Sequence, residues 1–331
     1  MSRSILEMLG GRVLAGHMLS RDEAAALADL PRSALPELFT WATRIRERFV
    51  GSCVRCCSIV AAKTGRCGED CAFCSQSAHY RTPTIGLTVL PEDRVFEAAM
   101  LAADNGADSF GIVNSGYAPT DAEIERWSNT IGRIRATGRV RVCASLGVLT
   151  DEHARRLRDA GVQRYNHNLQ TSRRHFPHIV STHRYHERLE TLHALKRAGI
   201  SVCSGALFGM GETWDDRLDL ALELREIGVD VVPLNFLIPI KGTPLENTPP
   251  LDPLECLHIV AVYRFLLPAA SIKIAGGREV NLRDLQSWIF LAGADSFLIG
   301  NYLTTCGRPA EQDHQMLKDL GLTLQPYATP P

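Results

Sequence analysis

Short runs of β-branched and apolar residues alternate along this chain with longer stretches whose apolar positions recur at helical spacing. Eight runs read as strands, at 56–62, 109–114, 140–146, 163–168, 201–207, 231–236, 272–276 and 296–299. Helices are predicted between them at 91–103, 122–135, 151–160, 185–198, 214–227, 253–265 and 282–291. Several close on glycine, at Gly106, Gly161, Gly199 and Gly293, the residue that helix C-termini favour. Residues 1–50 also read as helical, and Ser20 with Glu23 has the spacing of an N-terminal cap.

Repeated strand–helix units imply a parallel sheet, and eight of them imply closure into a (β/α)8 TIM-type barrel of the α/β class with an N-terminal helical extension. An open doubly wound sheet is the competing architecture. Its dinucleotide fingerprint, G-x-G-x-x-G, does not follow the first strand; a cysteine-bearing loop does. The expected division is a helical extension over 1–50, a barrel over 51–305, and a C-terminal segment over 306–331 that closes the barrel.

With 331 residues and 45% hydrophobic content the chain can bury a large core. Its 36 basic and 37 acidic residues nearly balance, which argues against an electrostatic nucleic-acid or membrane partner. Charge interrupts the first twelve residues, no secretory h-region is visible, and no apolar run is long enough to span a bilayer. A cytoplasmic location is expected, where a reducing environment keeps cysteines as thiols.

The ten cysteines are where chemistry enters. Cys67, Cys71 and Cys74 follow the first predicted strand at the unequal spacing C-x3-C-x2-C. Three thiolates on one loop suit a 4Fe-4S cube whose fourth iron stays open to an exogenous ligand. An isolated C-x2-C pair more often means zinc or redox chemistry, but zinc prefers four ligands in two separated pairs. Cys143 and Cys203 lie within predicted strands, where a single cysteine is commonly a small buried hydrophobe.

The triple, with Phe73 just before its last cysteine, resembles the signature of radical S-adenosylmethionine (SAM) enzymes. That resemblance implies a SAM-binding 4Fe-4S cluster on Cys67, Cys71 and Cys74 and a deoxyadenosyl radical made by reductive SAM cleavage. Further segments, Tyr165-Asn166-His167-Asn168-Leu169, Val202-Cys203-Ser204-Gly205, Gly209-Met210-Gly211-Glu212-Thr213 and Gly276-Gly277-Arg278-Glu279, are similar in wording and order to the biotin synthase family over roughly residues 50–320.

The resemblance implies sulfur insertion between C6 and C9 of dethiobiotin, with an auxiliary iron–sulfur cluster inside the barrel consumed as the sulfur donor. Carried over by position, Phe73 contacts the adenine, while Gly209, Gly211, Glu212 and Thr213 line the methionine end of SAM. Asn168 and Asn235 address SAM and the ureido ring, an amide offering donor and acceptor side by side. Thr304 and Thr305 lie near the substrate carboxylate. The same resemblance implies a flavodoxin- or ferredoxin-type electron donor and a homodimer.

Departures matter as much. The common auxiliary set is three cysteines and an arginine holding a 2Fe-2S cluster; here the first cysteine position falls on Gly111 and the arginine position on Lys273. Gln170 stands where a carboxylate is expected to bind the ribose. Cys57 is the candidate replacement thiol, because Cys57, Cys143, Cys203 and Lys273 fall on the odd-numbered predicted strands and alternate strands fill one barrel layer. Cys56 points the other way by strand alternation, and Cys53 precedes the strand. The chain is similar to a subgroup of the family that shares this early cysteine, and the resemblance leaves the auxiliary cluster as either 2Fe-2S or a larger, 4Fe type. Cys256 and Cys306 read as structural or incidental. A methylornithine synthase-like or hydrogenase maturase-like enzyme on the same barrel, or a non-enzymatic iron–sulfur carrier, remains the alternative; interior sulfur-donor cysteines argue against the first two.

Overall fold

The structure, a computed structural model, describes residues 2–84, 86–303 and 307–327. Three helices come first, α1 (Ser2–Leu14), α2 (Arg21–Ala28) and α3 (Leu35–Phe49). Ser20 caps α2 as its spacing predicts. Its hydroxyl accepts from the Glu23 N–H, and the Glu23 carboxylate accepts from the Ser20 N–H at 2.9 Å. Such a cap is worth about 1 kcal/mol.

The strands are β1 (Arg55–Thr64), β2 (Thr88–Val89), β3 (Ser109–Asn114), β4 (Arg141–Ser145), β5 (Arg164–Asn166), β6 (Ser201–Cys203), β7 (Ala206–Phe208), β8 (Val231–Phe236), β9 (Ser271–Ile274) and β10 (Ser296–Leu298). The parallel order β1-β3-β4-β5-β6-β8-β9-β10 closes where β10 pairs back to β1, Leu298 lying opposite Cys57. The barrel is therefore shut, with β6 and β7 sharing one strand position. A single strand at 201–207 was expected; it is interrupted at Ser204 and Gly205, where the backbone runs so close to β8 that a Cβ at residue 205 would lie 2.0 Å from the Pro233 carbonyl oxygen and only glycine fits. Pairing with β8 resumes at Ala206.

Outside the barrel run α4 (Glu92–Asp104), α5 (Asp121–Ala136), α6 (Asp151–Ala160), α7 (Tyr185–Ala198), α8 (Trp214–Ile227) and α9 (Pro253–Leu266). Gly161 and Gly199 end α6 and α7 in the left-handed conformation. The helix expected at 282–291 is corrected to α10 (Arg278–Leu282), a 3-10 turn, and α11 (Trp288–Leu291). Arg283 has φ +49°, which no α-helix continues through. The N-terminal helices pack on α8 and α9, burying Leu6, Leu9, Leu27, Leu38 and Ile45 completely.

After α12 (Ala310–Asp319), the chain crosses the N-terminal end of the strands. The Thr323 carbonyl accepts from the Val54 N–H at 2.9 Å, the Gln325 N–H donates to the Val54 carbonyl at 2.8 Å, and Tyr327 meets Gln163. The opposite mouth is left to the loops that follow the strands, where barrels of this kind build their sites.

Candidate functional site

The loop after β1 returns through β2, whose Val89 and Thr88 pair antiparallel with Lys63 and Thr64. The described residues between them make an excursion over the C-terminal mouth, held in shape by their own polar run. The Cys67 N–H donates to the Gln76 carbonyl (2.9 Å) and the Ala78 N–H to the Cys67 carbonyl (2.8 Å). Ser77 Oγ donates to the Glu69 carbonyl at 2.6 Å, and the His79 ring bonds the Gly68 carbonyl. Glu69 and Asp70 pin the loop to the segment before α7: Asp70 accepts from the Ser181 and Thr182 N–H groups, and Glu69 bonds His183. Burial alone would raise the Asp70 pKa, but these bonds outweigh it and hold it well below the usual carboxylate range.

Cys67, Cys71 and Cys74 line one cavity of about 190 Å³, together with Phe73. Burial, with smaller pushes from Cys74 and Cys67, raises the Cys71 thiol to about 12 against the pull of Arg188. Burial also raises Cys74, while the amides of Gln76 and Ser77 oppose the shift. Thiols in this setting need positive charge to ionise, which the irons of a cluster supply. Among the described residues no three His, Cys, Asp or Glu side chains converge as ligands of a single ion do; a cube spreads its thiolates over separate corners.

Other groups around this cavity await a polar guest. Both side-chain atoms of Asn114, the Nε2 of His167 and the Nε of Arg188 are buried without a partner. Burial, aided by Arg188 and His183, holds the His167 pKa well below the ordinary histidine value, so its ring is neutral. Arg188 donates to the Asn168 carbonyl at 2.9 Å and lies 2.8 Å from His183 Nε2, continuing the Glu69–His183 contact into the barrel wall. The residues fit a zwitterionic nucleoside ligand beside a three-thiolate cluster.

A second cavity, about 250 Å³, lies deeper and is lined by Cys57, Cys143, Cys203, Arg164 and Lys273. Register brings them there: Gly111 on β3 lies opposite Cys143 on β4, and Cys143 opposite Arg164 on β5. Burial raises Cys143 to about 12 even though Arg164 and Lys273 pull it down. Burial would lower Lys273, but Cys203 and Cys57 outweigh it and the ammonium is retained. Three thiols and two cations in one cavity fit an anionic, thiolate-ligated cluster. Cys56 faces away, its Sγ 3.1 Å from the Gly106 carbonyl; Cys53 is exposed and Cys256 is buried in α9.

Four residues, Ser145, Asn166, Asn168 and Gln170, line both cavities. Gln170 is left-handed at φ +73°, a conformation that costs a non-glycine residue about 1 kcal/mol or more. It is held by bonds across the β6–β7 break, from its N–H to Gly205 and from Leu207 to its carbonyl. Asn168 Oδ1 accepts from Asn166 Nδ2 (3.1 Å) and the Gly205 N–H (3.2 Å). Asn235 faces the deeper cavity, yet its amide already bonds the Ala206 carbonyl and the Gly276 N–H. One donor and one lone pair remain on it for a ligand.

The Gly209–Thr213 segment is arranged differently from the sequence expectation. Neither cavity is lined by it. Glu212 turns back into its own loop, accepting from Gly209 and Met210 and pairing with buried Arg217 at 3.0 Å. Thr213 caps α8 through Asp216. Their side chains shape the loop from behind. Thr304, Thr305 and Cys306 lie outside the described residues.

Sequence reasoning gave no role to Arg164, Asn166, His167 or Arg188, although Asn166 and His167 lie in a segment that carries the resemblance. Strand alternation marked Arg164, which shares a face with Asn166, and a charged residue inside a barrel strand was the available signal. Arg188 sits in α7 among residues that looked like an ordinary amphipathic surface.

The profile of the Radical SAM superfamily matches residues 62–224, and that of the Biotin and Thiamin Synthesis associated domain matches 233–323. Biotin synthase from Pelobacter propionicus is 49% identical, covering 97% of this chain and 98% of that protein. Biotin synthase from Heliobacterium modesticaldum is 48% identical, covering 97% and 99%. A crystal structure of methylornithine synthase superimposes with a TM-score of 0.84 at 18% identity, covering 96% of this chain and 97% of that one. The FeFe-hydrogenase maturase from Carboxydothermus hydrogenoformans gives 0.81 at 18% identity, covering 96% and 78%. These two likenesses establish the barrel; the sequence relatives carry the family.

Proposed function

We propose, from the premise that this chain belongs to the biotin synthase family of radical SAM enzymes, a division of labour between its two cavities in the conversion of dethiobiotin to biotin. The observation that carries it is their shared wall of Ser145, Asn166, Asn168 and Gln170. A substrate bounded by that wall lies between the three-thiolate loop and the interior thiols.

Cys67, Cys71 and Cys74 would hold the SAM cluster, and Cys57, Cys143 and Cys203 the auxiliary cluster, with Lys273 beside it. When bound, the first group with SAM supplies a hydrogen-abstracting radical and the second supplies sulfur. Phe73 offers a stacking face to the adenine. Asn114, His167 and Arg188 bring unpartnered polar atoms to the polar parts of SAM, and Gln170 offers a neutral amide to the ribose. Asn168 and Asn235 present amide donors and acceptors to the ureido ring, and Thr304 and Thr305 serve the carboxylate. Gly209, Gly211, Glu212 and Thr213 keep the backbone near the methionine end in place. The buried walls exclude water from a reactive radical.

The proposal extends to a cytoplasmic homodimer reduced by a flavodoxin- or ferredoxin-type donor; no helix among the described residues is long and apolar enough to cross a membrane. The interior thiols favour sulfur insertion over the chemistry of the two structural neighbours. The test is anaerobic turnover of the reconstituted protein with SAM, dethiobiotin and a reductant. Biotin formation accompanied by 5′-deoxyadenosine is expected, and Cys203→Ala should make 5′-deoxyadenosine without biotin. Biotin formation by Cys203→Ala at the parent rate would overturn the division of labour.

A further inference from the structure

Arg164 and Lys273 both line the deeper cavity, and among the described residues no carboxylate lines it with them. The Nε of Arg164 is buried without a partner, and among the described residues no hydrogen bond or ion pair meets either its guanidinium or the Lys273 ammonium. This sets the half-buried Arg164 apart from arginines buried in the fold. Arg264 is bonded to Asp295 at 2.6 Å and to the Gly293 carbonyl, Arg217 to Glu212 and Glu255, and Arg278 to Asp313. Those three tie the fold together. Arg164 ties nothing.

A guanidinium is kept in such a place only where something anionic meets it. Its neighbours say what. Cys143 is its Cα partner on β4, and Asn166, next on the same face of β5, bonds Cys203. The groups acting electrostatically on Arg164 are Cys143, Cys203 and Cys57, with Asp108 at the foot of β3. Three thiols line the same cavity as a planar, five-donor fork, which can meet an anionic sulfide along an edge as an ammonium cannot.

Resting on the sulfur-insertion reading above, we propose that Arg164 is a positioning residue of the sulfur-donor site. Its guanidinium hydrogen-bonds the anionic edge of an iron–sulfur cluster ligated by Cys57, Cys143 and Cys203, and with Lys273 it offsets that cluster's negative charge. Loss of such a supporting contact weakens metal binding on the order of ten- to a hundred-fold.

The experiment reconstitutes the full chain anaerobically with ferrous iron and sulfide, then counts both and records Mössbauer spectra for the parent, Arg164→Met, Arg164→Lys and Cys203→Ala. Arg164→Met should keep the SAM cluster and lose auxiliary iron as Cys203→Ala does. Arg164→Lys should regain much of that iron with an altered auxiliary spectrum, because charge returns without the fork. Auxiliary iron and spectrum unchanged in Arg164→Met would overturn the proposal while leaving the sulfur-donor cavity intact. Loss of both clusters from Met and Lys variants alike would assign Arg164 to the fold and also overturn it. A parent chain that takes up only the SAM cluster would sink the sulfur-donor reading itself, and the proposal with it.

Discussion

Asn166 Nδ2 stands 3.3 Å from the Sγ of Cys203 and 3.1 Å from Asn168 Oδ1. One amide therefore connects a thiol of the deeper cavity to a residue that also faces the cysteine loop. Asn166→Ala should uncouple the halves: 5′-deoxyadenosine continues to form, while biotin per deoxyadenosine falls on the order of ten-fold, the scale of losing a hydrogen bond to a charged group. Parallel chromatographic assays of the two products read the ratio, and an unchanged ratio would count against the connection.

Each of Cys67→Ala, Cys71→Ala and Cys74→Ala should abolish SAM cleavage, since the cube loses a corner thiolate. Phe73→Ala should mainly weaken SAM binding and leave the ligands in place. Assays of 5′-deoxyadenosine and of SAM affinity separate the two effects. Cleavage surviving in all three cysteine variants would remove the radical assignment.

Gly111 offers a sharper test of the interior ligand set. A Cβ built there lies 3.9 Å from the Cys143 Cβ and 3.2 Å from the Ile59 Cγ2, which must give by a few tenths of an ångström. Cys57→Ala alone should lose auxiliary iron; Cys57→Ala with Gly111→Cys should regain part of it, the new thiol standing beside Cys143. If Cys57 only packs, its single variant keeps biotin formation and costs roughly 1 kcal/mol for the small cavity.

Lys273→Met should act oppositely on empty and loaded protein. Without a cluster, removing a buried unpaired ammonium is neutral or stabilising; with one, auxiliary iron is held less tightly. Thermal unfolding of the two forms, with iron counts, checks this. A destabilised empty variant would show that Lys273 supports the barrel by itself.

Asp216 joins Ser172, the Thr213 cap and Arg174 behind the Gly209–Thr213 loop. Burial would raise its pKa, but the bonds from Ser172 and Thr213 and from Arg174 outweigh it, leaving it depressed below the ordinary value. A depressed folded pKa gives stability that is present above the unfolded value, near pH 4, and is lost as pH falls through the folded one. Asp216→Asn should therefore be less stable than the parent at pH 7, with the gap narrowing in acid below about pH 4. Urea titrations across that range measure it; a gap that stays constant would remove Asp216 from the linkage.

Much of this molecule was legible in the sequence because local rules govern it. The helices at 151–160, 185–198 and 214–227 have the expected bounds, since amphipathic spacing, caps and closing glycines all act within a few residues. The odd-strand argument brought Cys57, Cys143, Cys203 and Lys273 to one cavity, since side-chain alternation and barrel layering depend only on strand order. Where a distant backbone intervened, local rules failed. The strand expected at 201–207 is interrupted where it passes close against the Pro233 carbonyl with room only for glycine, and the helix expected at 282–291 is divided at Arg283, whose φ is +49°.

The sequence by itself determined the alternation of strands and helices, the spacing of three loop thiols and the face on which each strand cysteine lies. Only the tertiary structure decided that Glu212 is spent on its own loop, that Asn166 bonds Cys203, and that Arg164 is left without a partner. The reason is physical: periodicity fixes which way a side chain points, but whether a buried polar group is satisfied depends on partners supplied by barrel closure from far along the chain.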